Sequence, residues 1–370
     1  MYKFSTMIVI GVDIGGTKIK AAAVEIGSGK SGGRLVVAEQ VPTPRTATEA
    51  FYDVVAALVR KLRDRAKEGG EAVQPYVAIA HPGRLLSDGT LARGTTPNLG
   101  TRPGEFDGVD PAEELRRRLG GMVFAENDAV AQMRFGLDAL LRDPGIRPRL
   151  LERTVVYLGP GTGMGGGAAR VGRQGEVSVI TDGHFFDMRV PGYADGTLTA
   201  EELLTGQAIA HLIAEANTRL SQAITPATAE QLSRLLADSA APSEQRDEAG
   251  RIADLQGEIL ALIIEAIRAG RITKVRLEPL DDGRLVRHVD EPDRAWPEPD
   301  KAAVRGTDRF ILGGSVGADP VLGGRLRARA IEILRQRGLG DVAIFQIPLA
   351  SADAGLLGVI HAIPTGQLHR

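Results

Sequence analysis

Apolar residues cluster at Ile8-Val9-Ile10-Gly11-Val12 and again at Val155-Val156-Tyr157-Leu158. Unbroken apolar runs of this length read as strands buried on both faces. Each run stops at glycines and then resumes, over 19–26 and 168–171. The first third therefore predicts three strands near 7–13, 18–26 and 34–41, then a helix and a strand at 76–80. In the helix, Phe51, Val54, Val55, Leu58 and Leu62 share one face, with Thr46 or Thr48 available as a cap. Asp110-Pro111 opens a second helix, since proline is favoured at the first helical position. That helix carries Leu115 and Leu119, and a strand over 122–126 follows.

The second part repeats this order loosely. Strands are predicted near 154–158 and 165–171, with another within 176–190. Thr199-Ala200-Glu201-Glu202 is a capping box. An amphipathic stretch over 244–269 reads as a core-facing helix. A strand at 309–312, a helix at 321–337, a strand at 342–347 and a helix at 353–363 complete the pattern. Two copies of one mixed sheet predict a two-lobed α/β protein with a cleft between the lobes. The expected division is a small lobe over 1–127, rejoined by a C-terminal helix at 353–370, and a large lobe over 128–352. Within 271–306, Asp281-Asp282-Gly283 between two β-like runs signals a hairpin. That ribbon, with the acidic and Pro-rich sequence around Trp296, reads as an insertion serving as a lid or an oligomer contact.

The two interruptions are alike. Asp13-Ile14-Gly15-Gly16-Thr17-Lys18 and Gly159-Pro160-Gly161-Thr162-Gly163-Met164 each put glycine beside threonine at a strand end. Such a turn offers backbone N–H groups and one hydroxyl to a phosphate, with no bulky side chain in the way. Either turn alone could be an ordinary hairpin. The first lacks the dinucleotide glycine spacing and no helix follows it, and Thr17-Lys18 reverses the P-loop order.

Composition narrows the class. The chain has 370 residues, 43% apolar and 25% charged, the profile of a globular protein large enough for two domains. A net charge of −2 and 4% aromatics favour no nucleic-acid surface. There is no cysteine, so disulfides and thiolate metal sites are excluded. The chain runs almost at once into a strand and shows no long apolar segment, so the expectation is a cytoplasmic enzyme with no membrane partner.

Gly11-Val12-Asp13-Ile14-Gly15-Gly16-Thr17-Lys18 resembles the first phosphate motif of the ROK sugar kinases, within the actin/hexokinase/Hsp70 superfamily. Pro82-Gly83, Asp88-Gly89 and Pro97-Asn98-Leu99 resemble the segment before that family's sugar loop. Glu126-Asn127-Asp128-Ala129 resembles its catalytic motif, Gly161–Gly167 its second phosphate motif, and Leu312-Gly313-Gly314-Ser315-Val316 its adenosine motif. The resemblance runs almost end to end and implies an actin-like, ribonuclease H-like fold, with ATP and Mg²⁺ as cofactors. It implies Asp128 as general base and Asn98, Asn127, His184 and Glu201 as contacts of the acceptor. Gly15, Gly16, Thr17, Lys18, Gly161, Thr162, Gly163, Gly313 and Gly314 would hold the nucleotide, and Asp13 would hold Mg²⁺ through water.

Each residue also has an ordinary reading. Asp128 could cap the following helix, Asn127 could be a turn residue and Asp13 could close an Asx-turn. Lys18 could simply be solvated, His184 could be a surface or core histidine, and Glu201 suits a first helical turn by the helix dipole alone. Gly313-Gly314 could serve helix–strand packing.

The chain also departs from the family. Gly183-His184 is present, but Thr181 stands where the family has Glu, and the Cys-rich zinc loop is missing. No zinc site is expected. The implied acceptor is a hexose or hexose-like polyol, with a C7-cyclitol bearing a hydroxymethyl group as the alternative, and a homodimer is the expected assembly. Outside catalysis, the rivals are a sugar-sensing regulator and an inactive scaffold. Only six residues precede the first strand, too few for the helix-turn-helix of such regulators, and the retained Asp128 argues against a scaffold.

Overall fold

The computed structural model describes residues 7–27, 30–96, 99–102, 104–182, 185, 187–193, 196–273, 275–279, 285–289, 298–347 and 353–363. The chain forms two units, residues 1–139 with 351–370, and residues 140–350.

Unit 1 begins with β1 (Met7–Ile14), β2 (Lys18–Gly27) and β3 (Lys30–Pro42), followed by α1 (Thr48–Glu68) and β4 (Val73–His81). It continues through α2 (Pro111–Leu119) and β5 (Met122–Asn127) into α3 (Asp128–Arg142). The sheet order is β3-β2-β1-β4-β5. β1 is antiparallel to β2 and parallel to β4. As the unbroken apolar run predicts, β1 is buried on both faces. Ile8, Ile10, Val12 and Ile14 pack with α1, while Val9 joins Ala22, Ala78, Ala80 and Leu356 on the other side.

Unit 2 holds α4 (Arg147–Leu150), β6 (Thr154–Pro160), β7 (Met164–Val171) and β8 (Val177–Thr181). Short α5 (Ala200–Leu203) and α6 (Gly206–Asn217) lead to α7 (Ala229–Ala237) and the long α8 (Ser243–Arg268). Then come β9 (Val275–Pro279), β10 (Leu285–Val289), α9 (Glu298–Val304), β11 (Arg309–Leu312), α10 (Gly314–Gly317), α11 (Leu322–Gln336) and β12 (Ala343–Gln346). The sheet order is β12-β11-β6-β7-β8. β6 is antiparallel to β7 and parallel to β11. Strands β6, β7, β8, β11 and β12 therefore take the places that β1, β2, β3, β4 and β5 take in unit 1, so the duplication expected from the sequence is a duplication of topology. β9 and β10 form the expected antiparallel ribbon, while its turn and Trp296 lie outside the described residues.

Three local readings change. Val54 lies on the solvent side of α1, and Val59 and Ala56 complete the buried stripe. Neither threonine caps α1: Ala47 occupies that position, and the Thr48 hydroxyl donates to the Glu105 carbonyl at 2.9 Å. The units divide inside α3, after Ala139, rather than after residue 127.

The last described helix, α12 (Ala354–Val359), returns to unit 1 and lies on β1. Glycines permit the approach. A Cβ on Gly11 would sit 3.1 Å from the Leu356 carbonyl oxygen, and one on Gly358 would overlap the Ala131 carbonyl at 1.8 Å. A side chain at 358 must therefore displace α12 from α3. Gly358→Val is expected to lower stability by about 1–3 kcal/mol, the usual cost of overpacking, read as a lower urea midpoint at unchanged m-value.

Candidate active site

Both glycine turns join equivalent strands and are built alike. In unit 1 the Gly15 N–H donates to the Lys18 carbonyl at 3.0 Å, and Thr43 straps the turn from β3, its hydroxyl 2.6 Å from the Gly15 carbonyl. In unit 2 the Gly161 N–H donates to the Gly163 carbonyl at 2.8 Å, and the Gly206 N–H donates to the Gly161 carbonyl at 2.8 Å. Among the described residues, the N–H groups of Gly16 and Thr17, and those of Thr162 and Gly163, have no hydrogen-bond partner. The Thr17 and Thr162 side chains are exposed, as is Lys18. Each turn therefore presents two adjacent N–H groups and a hydroxyl, a short nest suited to an anion.

Unit 1 gathers the acidic groups. Asp13 ends β1 with its carboxylate against Gly355, where a Cβ would lie 2.7 Å from Oδ2. Burial pushes the Asp13 pKa up to about 6, against the pull of Lys20 and with help from Asp353. Lys20 itself is ion-paired to Asp353 at 3.6 Å. Asp128 is the first residue of α3, and burial, reinforced by the Asp13 charge, raises its pKa to about 7.

Asn127 takes most of the capping role, while Asp128 Oδ1 also accepts from the Ala129 N–H at 2.8 Å. The Asn127 Oδ1 accepts from the N–H groups of Ala129 (3.0 Å) and Val130 (3.2 Å), while its Nδ2 donates to the Gly83 carbonyl at 2.9 Å. Gly83 has φ +100, which a side chain would strain, and a Cβ there would meet Thr96 at 2.6 Å. Glu126, from the same motif, is held bidentately by Arg134 at 2.8 Å.

Sequence reasoning missed the layer beneath this loop. His81 pairs with Asn127 across β4 and β5. Its Nδ1 lies 2.6 Å from the Pro82 carbonyl, which can only accept, so Nδ1 carries the proton and Nε2 accepts from the Tyr52 hydroxyl at 3.1 Å. Burial lowers the His81 pKa to about 4, so the ring stays neutral near pH 7. The only sequence signal was a histidine directly before Pro82-Gly83.

In unit 2, several sequence-predicted residues converge. Glu201 accepts from the Met164 N–H at 3.0 Å through Oε2, which also lies beside Gly163. The capping box at Thr199 and Glu202 holds α5, and with it Glu201, in place. Thr205 caps α6 next to Gly206. Gly314, with φ +69, sits where a Cβ would be 2.4 Å from the Pro160 carbonyl, and its N–H donates to the Tyr157 hydroxyl at 3.1 Å. Ser315 faces Gly161. The structure thus brings the second glycine turn, Glu201 and Gly313-Gly314 together. Thr181 ends β8 and is buried. Asn98 and His184 lie outside the described residues.

The raised pKa of Asp128 carries a stability signature. An acid whose folded pKa lies above its unfolded value of 3.8 binds more protons in the folded state between those values. Its burial therefore costs nothing below pH 3.8, and the cost grows up to about pH 7 and is complete above it. Asp128→Asn is expected to raise Tm at pH 8, with the gain shrinking steadily towards pH 4. A pH series of thermal melts checks the trend.

Residues 9–185 match the model of the ROK family. N-acetyl-D-glucosamine kinase from Salmonella paratyphi C is 32% identical over 182 residues, covering 49% of this chain and 52% of that protein. The chain thus spans about half the length of the curated relatives it matches. The ROK hexokinase of Thermus thermophilus superposes with a TM-score of 0.58 at 22% identity, over 98% of this chain and 99% of that one. The Streptomyces griseus ROK glucokinase, solved with glucose and AMPPNP, gives 0.54 at 21% identity, over 95% and 97%. Among the described residues no helix is long and apolar enough to cross a membrane. Residues 9–185 are therefore similar to the ROK family, and the chain shares the fold of ROK structures over nearly its whole length.

Proposed function

We propose that this protein is an ATP-dependent kinase that phosphorylates a hydroxyl of a hexose or hexose-like polyol. The observation that carries the reading is the matched pair of turns, each offering two unpaired N–H groups beside a threonine hydroxyl. Relatives that phosphorylate N-acetylglucosamine, and a neighbour that binds glucose with AMPPNP, support the substrate class.

Phosphoryl transfer needs positioned phosphates, charge neutralisation and a base for the attacking hydroxyl. Gly16, Thr17 and Lys18 take phosphate oxygens in unit 1, and Thr162 and Gly163 take them in unit 2. Gly313 and Gly314, packed on Tyr157 and Pro160, carry the segment proposed to contact the nucleoside. Asp128 accepts the acceptor's hydroxyl proton as its oxygen bonds to the γ-phosphorus, and the bond to the bridging β–γ oxygen breaks to release ADP. A pKa near 7 leaves Asp128 substantially ionised at neutral pH yet basic enough to take a proton.

Asn127 has spent its carbonyl oxygen on α3, so its remaining N–H is what it can offer an acceptor hydroxyl. Glu201 has Oε1 left, with Oε2 committed to Met164. Asn98 and His184 complete the proposed acceptor contacts. The donor set fits Mg²⁺: Asp13 holds its proton more tightly than usual and Asp128 senses its charge, a strain that a cation relieves. When bound, the ion neutralises phosphate charge. A homodimer in the cytoplasm, without zinc, is the proposed state.

The cyclitol reading has its own support. Thr181 is buried and too short to replace a glutamate, so a hydroxyl that such a group would hold loses its charged acceptor. That loss is worth about 1–3 kcal/mol, or roughly 5- to 150-fold in affinity.

A coupled ADP-release assay tests the catalytic assignment. Asp128→Asn is expected to keep the fold and lower kcat about 10²- to 10⁴-fold. Turnover near wild type removes the base from the proposal. A panel of hexoses, amino sugars and cyclitols tests the acceptor. Plain glucose is expected to be poor, with an analogue altered at one hydroxyl giving the higher kcat/KM, and a glucose optimum with sub-millimolar KM overturns the argument from Thr181.

A further inference from the structure

Unit 2 contains a polar cavity of about 360 Å³ away from the glycine turns. Its wall includes Arg309 and Ala343, the first residues of β11 and β12, whereas Gly313-Gly314 follows the last residue of β11. The cavity therefore opens at the opposite end of the sheet from the second phosphate turn. Arg149, Arg309, Arg327 and Arg335 line it, together with Phe345 and Asp341.

The charges there are not balanced. Asp341 is bound to Arg268 at 2.6 Å, and Arg309 is matched by Asp308 at 2.9 Å. Among the described residues, Arg149, Arg327 and Arg335 have no carboxylate within ion-pair distance. Arg149 lies over the Phe345 ring, 4.9 Å from its centroid, with its fork still available. Arg327 gives one N–H to the Ile344 carbonyl at 3.3 Å, and its buried Nε has no hydrogen-bond partner among the described residues. Arg335 is exposed in the last turn of α11. Elsewhere this chain pairs arginine readily, Arg118 contacting Glu49, Asp53 and Glu114 at once. Three uncompensated guanidiniums around one cavity repel each other, and a buried unpaired donor costs free energy. An anion with several acceptor oxygens removes both costs, and guanidinium forks match phosphate geometry.

Size separates an organic phosphate from a bare one. The volume falls in the range of small-molecule pockets, well above that of a phosphate ion. Phe345, Ile331 and Ile344 supply apolar wall for the rest of the molecule. We infer that this cavity binds a sugar-sized phosphate monoester, its phosphate held by Arg149, Arg327 and Arg335. The site uses none of the residues assigned to phosphoryl transfer, so the kinase reading and this one fail separately.

Calorimetry on the full-length protein tests it, with glucose 6-phosphate, inorganic phosphate and glucose as separate titrants. Glucose 6-phosphate is expected to bind more tightly than inorganic phosphate, to weaken with added salt and to raise Tm. Arg327→Gln and Arg335→Gln are each expected to weaken it about 10-fold or more, the worth of one charged hydrogen bond, while AMPPNP affinity stays unchanged. Arg335 is exposed, so its variant decides the matter even if Arg327→Gln fails to fold. Absence of binding overturns the inference, as does binding that both variants leave intact, which puts the ligand elsewhere. Inorganic phosphate binding as tightly as the ester overturns the assignment to an organic phosphate.

Discussion

Unit 1 depends on one close contact, the seating of α12 on β1. The helix comes from the far end of the chain and lies against a strand from its beginning, with Gly11 and Gly358 removing the side chains that would hold them apart. This covers the second face of β1 and seats Gly355 against the Asp13 carboxylate. Burial is what makes that carboxylate hold its proton, and burial, with the Asp13 charge adding to it, raises Asp128. The acidity of the site is thus set by backbone packing, because a carboxylate deprived of water is costly to ionise wherever it lies.

The polar groups around Asp128 are mostly committed to structural contacts. A helix start needs a side-chain acceptor for its first N–H groups. Asn127 supplies two such contacts, and Asp128 adds one through Oδ1, which accepts from the Ala129 N–H at 2.8 Å. Glu126 is held by Arg134, and the neutral His81 fixes the bend at Pro82 from below, with Tyr52 behind it. A motif of four consecutive residues therefore contains a salt-bridge partner, a cap and a carboxylate whose pKa is raised to about 7.

Unit 2 uses the same strand order for different ends. Where β6 turns into β7 glycines leave N–H groups unpaired, and where β11 turns into α10 they bring backbones together. At the starting ends of β11 and β12 the chain instead gathers guanidiniums around a cavity. Open α/β sheets favour ligands at the carboxyl ends of strands. The arginine cavity follows another logic, that of side-chain charge gathered at the opposite ends of the strands.

Much of this was legible in the chain. Apolar runs marked β1 and β6 because central strands are buried on both faces. The glycine turns, the Asp110-Pro111 start of α2 and the Thr199 capping box were readable because turns and caps are local, and local geometry dictates residue type. The resemblance singled out Asp128, which the fold places at the start of α3 directly after β5. Tertiary structure decided the rest. Thr48 lost its cap role to a carbonyl 57 residues away, and Val54 turned to solvent because α1 rotated its stripe towards Val59. The shared environment of Asp13 and Asp128, the commitment of Glu201 to Met164 and the meeting of Arg149 with Arg327 and Arg335 join residues far apart in sequence. Periodicity reports which face of an element is buried, but not what it is buried against, and pKa and charge balance depend on the second.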